Sequence, residues 1–157
     1  MWHGVRLVDT SELRGVVTHR GRALDFSLTA YAVPIVSNKL AGVIAASAPG
    51  DVQCVPVELA GRTGMFVLNS LRVIRCLDES SSDFLKWTKQ DHRADLAGQY
   101  RQVTKLSVDP RAIPSGAHLF RIEAWRVALI VSEHVKSAME AAGCIGAKFI
   151  DVTPLTN

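Results

Sequence analysis

Apolar residues follow two different periods along this chain, and the change from one to the other marks its predicted elements. Val33–Val36 is a short apolar run rich in β-branched residues, which is typical of a buried strand. Helical spacing begins soon afterwards, on a face made of Leu40, Val43, Ile44 and Ser47. Gln53–Val57 returns to strand-forming residues. The pattern therefore predicts a strand, a three-turn helix and a second strand.

This pattern is repeated in the last third of the chain. Ala128–Val135 aligns without a gap with Val33–Leu40, and the second helical face consists of Val135, Ala138, Met139 and Ala142. Ser37 and Ser132 precede the two helices, where a hydroxyl accepts a hydrogen bond from a first-turn amide. Pro49-Gly50 and Gly143 are placed to end the helices. A strand over Lys148–Val152 is expected to complete the second copy.

Three further segments have the residue types of strands. They are Gly64–Leu77 with a break at Asn69-Ser70, Val103–Val108, and His118–Trp125. In the last segment His118, Phe120, Ile122 and Ala124 share one face. Arg121 and Glu123 share the opposite face, which predicts a half-buried strand with both charged residues outward.

Together these elements predict a single α+β domain over residues 1–157, with two pseudo-symmetric strand–helix–strand units packed on a mixed, largely antiparallel sheet. Its parts are an N-terminal segment (1–29), a first unit (30–59), central strands (64–125) that contain a polar insert (78–102), and a second unit (126–153). The N-terminal segment is expected to form a strand at Val5–Val8 and a hairpin around Arg20-Gly21-Arg22.

The insert differs in composition from the rest of the chain. It is polar and rich in serine, which indicates a surface loop or a short helix. Phe84 and Trp87 lie three residues apart, and at helical spacing they are expected to pin the insert to the core. Alternatively, Asp78, Glu79 and Asp83 form a docking patch for a basic partner.

Composition supports a hydrophobic core and argues against a membrane span. The chain is 48% hydrophobic and 21% charged, which excludes a disordered tail. Its uncharged stretches fall short of the roughly 18 apolar residues of a membrane helix. The N-terminus does not resemble a secretory signal, and Cys54, Cys76 and Cys144 lie apart in apolar segments. Buried free thiols and a cytoplasmic location are therefore expected.

The common signatures of catalysis are missing from the sequence. It contains no Cys-x-x-Cys pair, His-Glu-x-x-His motif, phosphate-binding glycine loop or Gly-x-Ser-x-Gly elbow. The five histidines are isolated, although His118 and His134 bracket a strand-to-helix passage where they can converge. No acidic or thiol neighbour stands at ligand spacing beside them. The sequence predicts no enzyme activity, no metal and no cofactor.

Several blocks of the chain resemble the immunity protein family numbered eleven of bacterial polymorphic toxin systems, formerly a domain of unknown function. The blocks are Val33–Leu40, Val55–Leu59, Met65–Asn69, Leu77-Asp78, Gly98–Tyr100, Leu106–Asp109, His118–Ile122, Trp125, Leu129–Glu133 and Gly146–Phe149. They run in order from about residue 30 to residue 153, and the segment up to Leu28 is not matched. The resemblance implies a non-catalytic protein that binds and neutralises a cognate toxin domain.

Tight binding to a toxin requires aromatic or arginine anchors within a polar rim. The insert supplies these residue types, whereas the repeated units are occupied with building the core. The predicted toxin-facing residues are Asp78, Glu79, Asp83, Phe84, Trp87, His92 and Arg93. The formal net charge of +3 argues against mimicry of a nucleic acid over the whole surface.

Two other classes of function compete with this interpretation. One is a nucleic-acid-binding module, which would use the cations Arg20, Arg22, Lys86, Lys89, Arg93 and Arg101. The cations are scattered along the chain, and this disfavours a nucleic acid as partner. The other is a small-molecule enzyme or sensor with a polar pocket between the two repeated units.

Overall fold

The computed structural model describes residues 4–8, 13–18, 21–60 and 62–153. These residues form ten strands and two α-helices, which confirms the α+β class. The strands are β1 (Arg14–Gly15), β2 (Phe26–Leu28), β3 (Pro34–Ser37), β4 (Val52–Leu59), β5 (Arg62–Ser70), β6 (Val73–Ile74), β7 (Asp83–Lys86), β8 (Tyr100–Lys105), β9 (Leu119–Ile122) and β10 (Trp125–Val131). The helices are α1 (Asn38–Ser47) and α2 (Glu133–Ala141), and 3₁₀ turns lie at Ala94–Leu96 and Pro110–Ala112.

The strands are divided among three sheets rather than one. The first has the order β1-β4-β5-β3-β2, the second β10-β9-β6, and the third contains β7 and β8. β1 with β4 and β6 with β9 are parallel, and the other five pairs are antiparallel, as predicted for a mixed, largely antiparallel arrangement. β5 ends at Ser70, within the predicted break, and the chain then enters the second sheet as β6.

The strand and helix of each repeated unit are present with the same cap. Ser37 and Ser132 have ψ angles of 163° and 162°, and their hydroxyls accept from the amides of Leu40 and Val135. Gly143 has a φ of +61°, and its amide donates to Glu140 while the next amide donates to the carbonyl of residue 139. These two bonds form a Schellman motif, which confirms that glycine ends the second helix.

The last strand of the second copy is absent. Residues 144–152 contain no assigned strand, and Val152 accepts one backbone bond, from Val108 at 2.9 Å. The first copy differs because β4 is followed directly by β5, with which it pairs over most of its length. In the described part of the chain, no strand equivalent to β5 follows α2 to pair with this segment. The expected strand over Lys148–Val152 is therefore wrong.

The N-terminal segment also differs from its prediction. Val5–Val8 is not a strand, and instead Leu7 exchanges two hydrogen bonds with the side chain of Gln53, at 2.8 and 2.9 Å. This side chain supplies the donor and acceptor that a neighbouring strand would have offered. Gly21 and Arg22 are exposed outside any strand, and Arg20 lies outside the described residues.

His118–Trp125 is two strands joined by a turn, not one strand. β9 ends at Ile122, and Ala124 has a φ of 63° in the turn before β10. All four residues of β9 are buried because the strand lies between β10 and β6 and is covered on both faces. Arg121, expected to point outward, is only 2% exposed and donates to the carbonyls of Arg126 and Val127 at 2.6 and 3.0 Å.

Among the residues that the structure describes, three apolar clusters form the core. The first joins the two helices to the sheets and includes Leu40, Ile44, Val135 and Met139, the second surrounds Phe120 and Ile122, and the third contains Ile35, Val55, Val57 and Val67. All three cysteines are free thiols, and Cys76 is buried as expected, whereas Cys54 and Cys144 are only half-buried.

A buried carboxylate connects the first sheet to the second. Asp51 follows the turn after α1 and has no exposed surface. Its Oδ2 accepts the backbone amides of His118 and Leu119 at 2.7 and 3.0 Å, and its Oδ1 accepts from Arg72 Nε. The start of β9 is thereby fixed beside the start of β4.

Candidate functional site

Most of the insert lies in turns and loops with a 3₁₀ turn at Ala94–Leu96, as predicted, but its two ends also form a two-stranded sheet that was not predicted. β7 pairs with β8 in antiparallel register, with Phe84 opposite Val103 and Lys86 opposite Tyr100. The base of this sheet is held by buried Ser82, whose hydroxyl accepts from the Ser107 amide at 2.9 Å. The insert is thus attached firmly to the body of the domain.

The two aromatic residues of the insert do not pin it to the core. Phe84 and Trp87 are half-buried, and neither belongs to a core cluster. Phe84 meets the ring of Tyr100 edge-on with 5.1 Å between centroids. The expectation assumed helical spacing, whereas residues three apart along an extended strand point to opposite faces. Each aromatic residue therefore packs within the insert itself.

Trp87 is held in place by two neighbouring side chains. The guanidinium of Arg101 lies 4.8 Å from the centroid of the Trp87 ring, and the ring of His92 meets it edge-on at 5.3 Å. Arg101 also contacts Asp91 at 3.4 Å. The Thr88 amide donates to Asp91 at 2.7 Å, and this bond is the main reason that the pKa of Asp91 is lowered. The indole is thus fixed without being fully buried.

A cleft opens between the insert and the turn that joins β9 to β10. Its volume is about 650 Å³. Four carboxylates and two cations line it: Asp78, Glu79, Asp109 and Glu123, with Arg75 and Lys86. The cleft therefore carries an excess of negative charge.

One wall of the cleft already binds a cation from the same chain. Lys86 Nζ lies 2.6 Å from Glu79 Oε1, and 5.2 and 5.0 Å from the ring centroids of Phe84 and Tyr100. The hydroxyl of Tyr100 donates to the same oxygen of Glu79 at 2.5 Å. Hydrogen bonds from Lys86 and Tyr100 lower the pKa of Glu79, whereas burial and this bond raise the pKa of Tyr100 to about 12. We call Glu79, Phe84 and Tyr100 the cation cage.

Comparison with known protein families decides the general role of the chain. The model of the immunity protein family Imm11 matches residues 4–154. The chain belongs to the Imm11 family. Its general role is therefore toxin immunity. No match was found among curated proteins. The family match begins at residue 4 and takes in most of the N-terminal segment, which the sequence blocks had left unmatched.

Five of the predicted toxin-facing residues of this Imm11 chain form two groups, and the other two lie apart from both. Asp78 and Glu79 line the cleft, and the ring centroid of Phe84 lies 5.2 Å from Lys86 Nζ in the cation cage. Trp87 and His92 form the second group. Asp83 is exposed at the start of β7, and Arg93 makes a two-pronged ion pair with Asp95 at 2.9 and 2.7 Å, both outside these groups.

Sequence reasoning missed the four other charged residues and the tyrosine that line the cleft of the Imm11 chain. Tyr100, Arg75, Asp109 and Glu123 were not selected, and Lys86 was considered only as a contact for nucleic acid. A signal for part of the site was present, because Phe84 and Lys86 are two residues apart and share a face of a strand. The remaining residues come from segments distant in the sequence, whose convergence depends on the fold.

The two histidines that bracket the passage into α2 do converge. The rings of His118 and His134 are 5.4 Å apart, and His118 Nδ1 lies 3.0 Å from the capping hydroxyl of Ser132. In the described part of the Imm11 chain, no three His, Cys, Asp or Glu side chains come together as a potential metal site. Neither α1 nor α2 is long enough and apolar enough to span a membrane.

The helices of the repeated units of this Imm11 chain pack directly against each other. Leu40 and Val135 belong to the cluster that the helices share, and both are fully buried. Apolar side chains therefore fill the contact between the two helices. The alternative function had placed a polar small-molecule pocket between the repeated units, whereas the acid-lined cleft lies elsewhere in the fold.

Proposed function

We infer that this chain binds a cognate toxin domain by direct protein–protein contact and neutralises it without catalysis of its own, in the cytoplasm of the cell that it protects. Membership of an immunity protein family supports the toxin as partner. The insert surface is the proposed contact, through the residues Asp78, Glu79, Asp83, Phe84, Trp87, His92 and Arg93.

The observation that carries this proposal is the setting of Trp87. Tryptophan is enriched among the few residues that supply most of the binding energy of an interface. Here its indole stands outside the core clusters and is held between Arg101 and His92. Because the side chain is already ordered in the free protein, little conformational entropy remains to be lost on binding. Trp87 therefore has the properties of a pre-organised anchor.

The local charges favour a protein over a nucleic acid as partner. Binding to nucleic acid needs several cations that are free to contact phosphates. Three cations of the insert are instead paired with carboxylates: Lys86 with Glu79, Arg93 with Asp95, and Arg101 with Asp91. A surface of mixed charge around an aromatic residue matches the rim and core of a protein interface.

The proposal is tested by calorimetric titration of the purified chain with its cognate toxin domain, which is sought first in the reading frame next to its own. Trp87→Ala is expected to weaken binding about 30-fold or more, because such anchors contribute about 2 kcal/mol or more. Arg93→Ala is expected to weaken it about tenfold. Tyr31→Ala is the matched control, since Tyr31 is 81% exposed on the hairpin between β2 and β3.

Circular dichroism and thermal melting establish that each variant is folded. Unchanged affinity of both insert variants would refute the assignment of the contact surface. A wild-type chain that neither binds the toxin nor restores growth of cells that produce it would refute the proposed function as a whole.

A further inference from the structure

We propose that the cleft receives a lysine or arginine side chain of the toxin, and that Lys86 occupies the cation cage as an internal stand-in until the toxin displaces it. This inference rests on the proposed function, because it assigns a chemistry to the same surface. The inference goes beyond the proposed function because it predicts that removal of the Lys86 side chain tightens the complex with the toxin.

The cage is built as a receptor for a cation. Aromatic faces and a carboxylate are the groups that bind ammonium and guanidinium ions in proteins. Phe84 and Tyr100 supply two rings, and Glu79 supplies a carboxylate oxygen that Tyr100 fixes in position. A bound ammonium is already visible there, 2.6 Å from Glu79 Oε1. The position of the Lys86 ammonium therefore shows that the site accommodates a cation.

Lys86 is a replaceable occupant. Its side chain is 37% exposed and that of Glu79 is 50% exposed, so the ion pair lies in contact with water. Exposed pairs of this kind are weak, and lysine has a flexible four-carbon stem that can swing away. When a cation of the toxin replaces the Lys86 ammonium, Glu79 keeps an ion-pair partner and the rings of Phe84 and Tyr100 keep a cation beside them. The exchange therefore replaces one contact by a similar one.

The rest of the cleft favours an incoming cation. Lys86 and Glu79 neutralise each other. The remaining charged residues of the cleft are three carboxylates, Asp78, Asp109 and Glu123, and one cation, Arg75. Arg111 also binds Asp109, but its side chain is 91% exposed. A volume of about 650 Å³ accommodates a long basic side chain. Charge complementarity thus selects a basic anchor.

The position of the cleft identifies the toxin as the source of this cation. The amide of Gly98, which lines the cleft, donates to the carbonyl of Trp87 at 2.9 Å, so the cleft and Trp87 lie at the same end of the insert although their side chains point to different faces. A toxin seated on Trp87 therefore has the cleft within reach. A small molecule with a free amine would lack the additional contact with Trp87 that the toxin makes.

The first test measures affinity for the toxin domain. Lys86→Met is expected to bind the toxin about threefold more tightly, because the internal competitor is gone. Lys89→Met, an exposed lysine of the same insert, is the matched control for the loss of one positive charge and is expected to bind as wild type. Glu79→Gln is expected to weaken binding about tenfold. Weaker or unchanged binding by Lys86→Met would overturn the stand-in role.

A second test examines the cage without the toxin, so the two proposals fail separately. The probe is Nα-acetyl-lysine methylamide at millimolar concentration, and the readout is the amide chemical shifts of isotope-labelled protein. We expect the Lys86→Met variant to show saturable shifts around Glu79 and Tyr100, and the wild type to show smaller ones. The double variant Lys86→Met with Glu79→Gln is expected to show none. Equal or absent shifts in all three proteins would overturn the inference even if the toxin binds.

Discussion

The buried carboxylate of Asp51 allows a prediction of stability to be worked from the structure. Asparagine has nearly the same shape as aspartate, so Asp51→Asn changes the charge and hydrogen bonding but not the packing. A bond to a charged acceptor contributes about 1 kcal/mol more than one to a neutral acceptor. Two backbone amides donate to Asp51 Oδ2, so this change costs about 2 kcal/mol in total.

The second oxygen of Asp51 adds a further cost. In asparagine the NH₂ group would face Arg72 Nε, so that a donor meets a donor where an ion pair existed. Because the Arg72 side chain is 41% exposed and keeps access to water, we expect only about 1 kcal/mol from this change. The total is about 3 kcal/mol, which corresponds to a decrease in Tm of roughly 6–12 °C for a domain of this size.

Urea unfolding followed by tryptophan fluorescence, together with thermal melting, measures this change. Asp83→Asn is the matched control, because Asp83 is exposed at the start of β7, and it is expected to stay within about 0.5 kcal/mol of wild type. If Asp51→Asn is as stable as the control, the carboxylate is not what holds β9 beside β4, and the reasoning is refuted.

Three further predictions concern the backbone, acid stability and thiol reactivity. Ala124→Gly is expected to stabilise the protein by about 0.5–1 kcal/mol in urea unfolding, since φ is 63° there, whereas Ala97→Gly, where φ is −49°, is expected to destabilise it. The pKa of Asp25 is lowered mainly by the Ser37 hydroxyl, and further by the Ile145 amide and Lys39. The Asp25 carboxylate therefore stabilises the fold at pH values above its ordinary pKa of 3.8, and this contribution is lost as the pH falls through its lower pKa in the folded state. Unfolding between pH 7 and pH 2 is expected to show Asp25→Asn less stable than wild type at neutral pH and equally stable at the acid end. Burial raises the pKa of the Cys76 thiol to about 11, so peptide mapping after iodoacetamide treatment at pH 8 is expected to find Cys76 unmodified in the folded protein and modified in urea.

Local patterns predicted the repeated strand and helix well because the cap, the apolar face and the stop signal lie close together in sequence. Ser37 and Ser132 cap α1 and α2 as expected. The same reasoning failed for Arg121, since a period of two identifies two faces of a strand but does not reveal that another layer covers the second face. Such coverage depends on residues far along the chain.

The candidate site was predictable only in part, for the same physical reason. The aromatic and charged character of the insert is visible in its composition, and it led to Phe84 and Trp87. The assumption of helical spacing then placed both residues against the core, whereas β7 turns them toward different neighbours within the insert. Asp109 and Glu123 reach the cleft only because β8 and β9 return beside the insert. The contact surface itself remains a prediction until toxin binding is measured.

The departure of the second copy from the repeat is connected to the insert. In the first copy the segment after the helix becomes β4 and completes a sheet. In the second copy the equivalent segment stays outside the sheets, and Val152 accepts the amide of Val108 and packs in the cluster around Phe120. Val108 also bridges to Leu77, so it joins the two ends of the insert. The segment that forms no strand thus braces the base from which the candidate site projects, and this contact explains how the insert is held to the body of the domain.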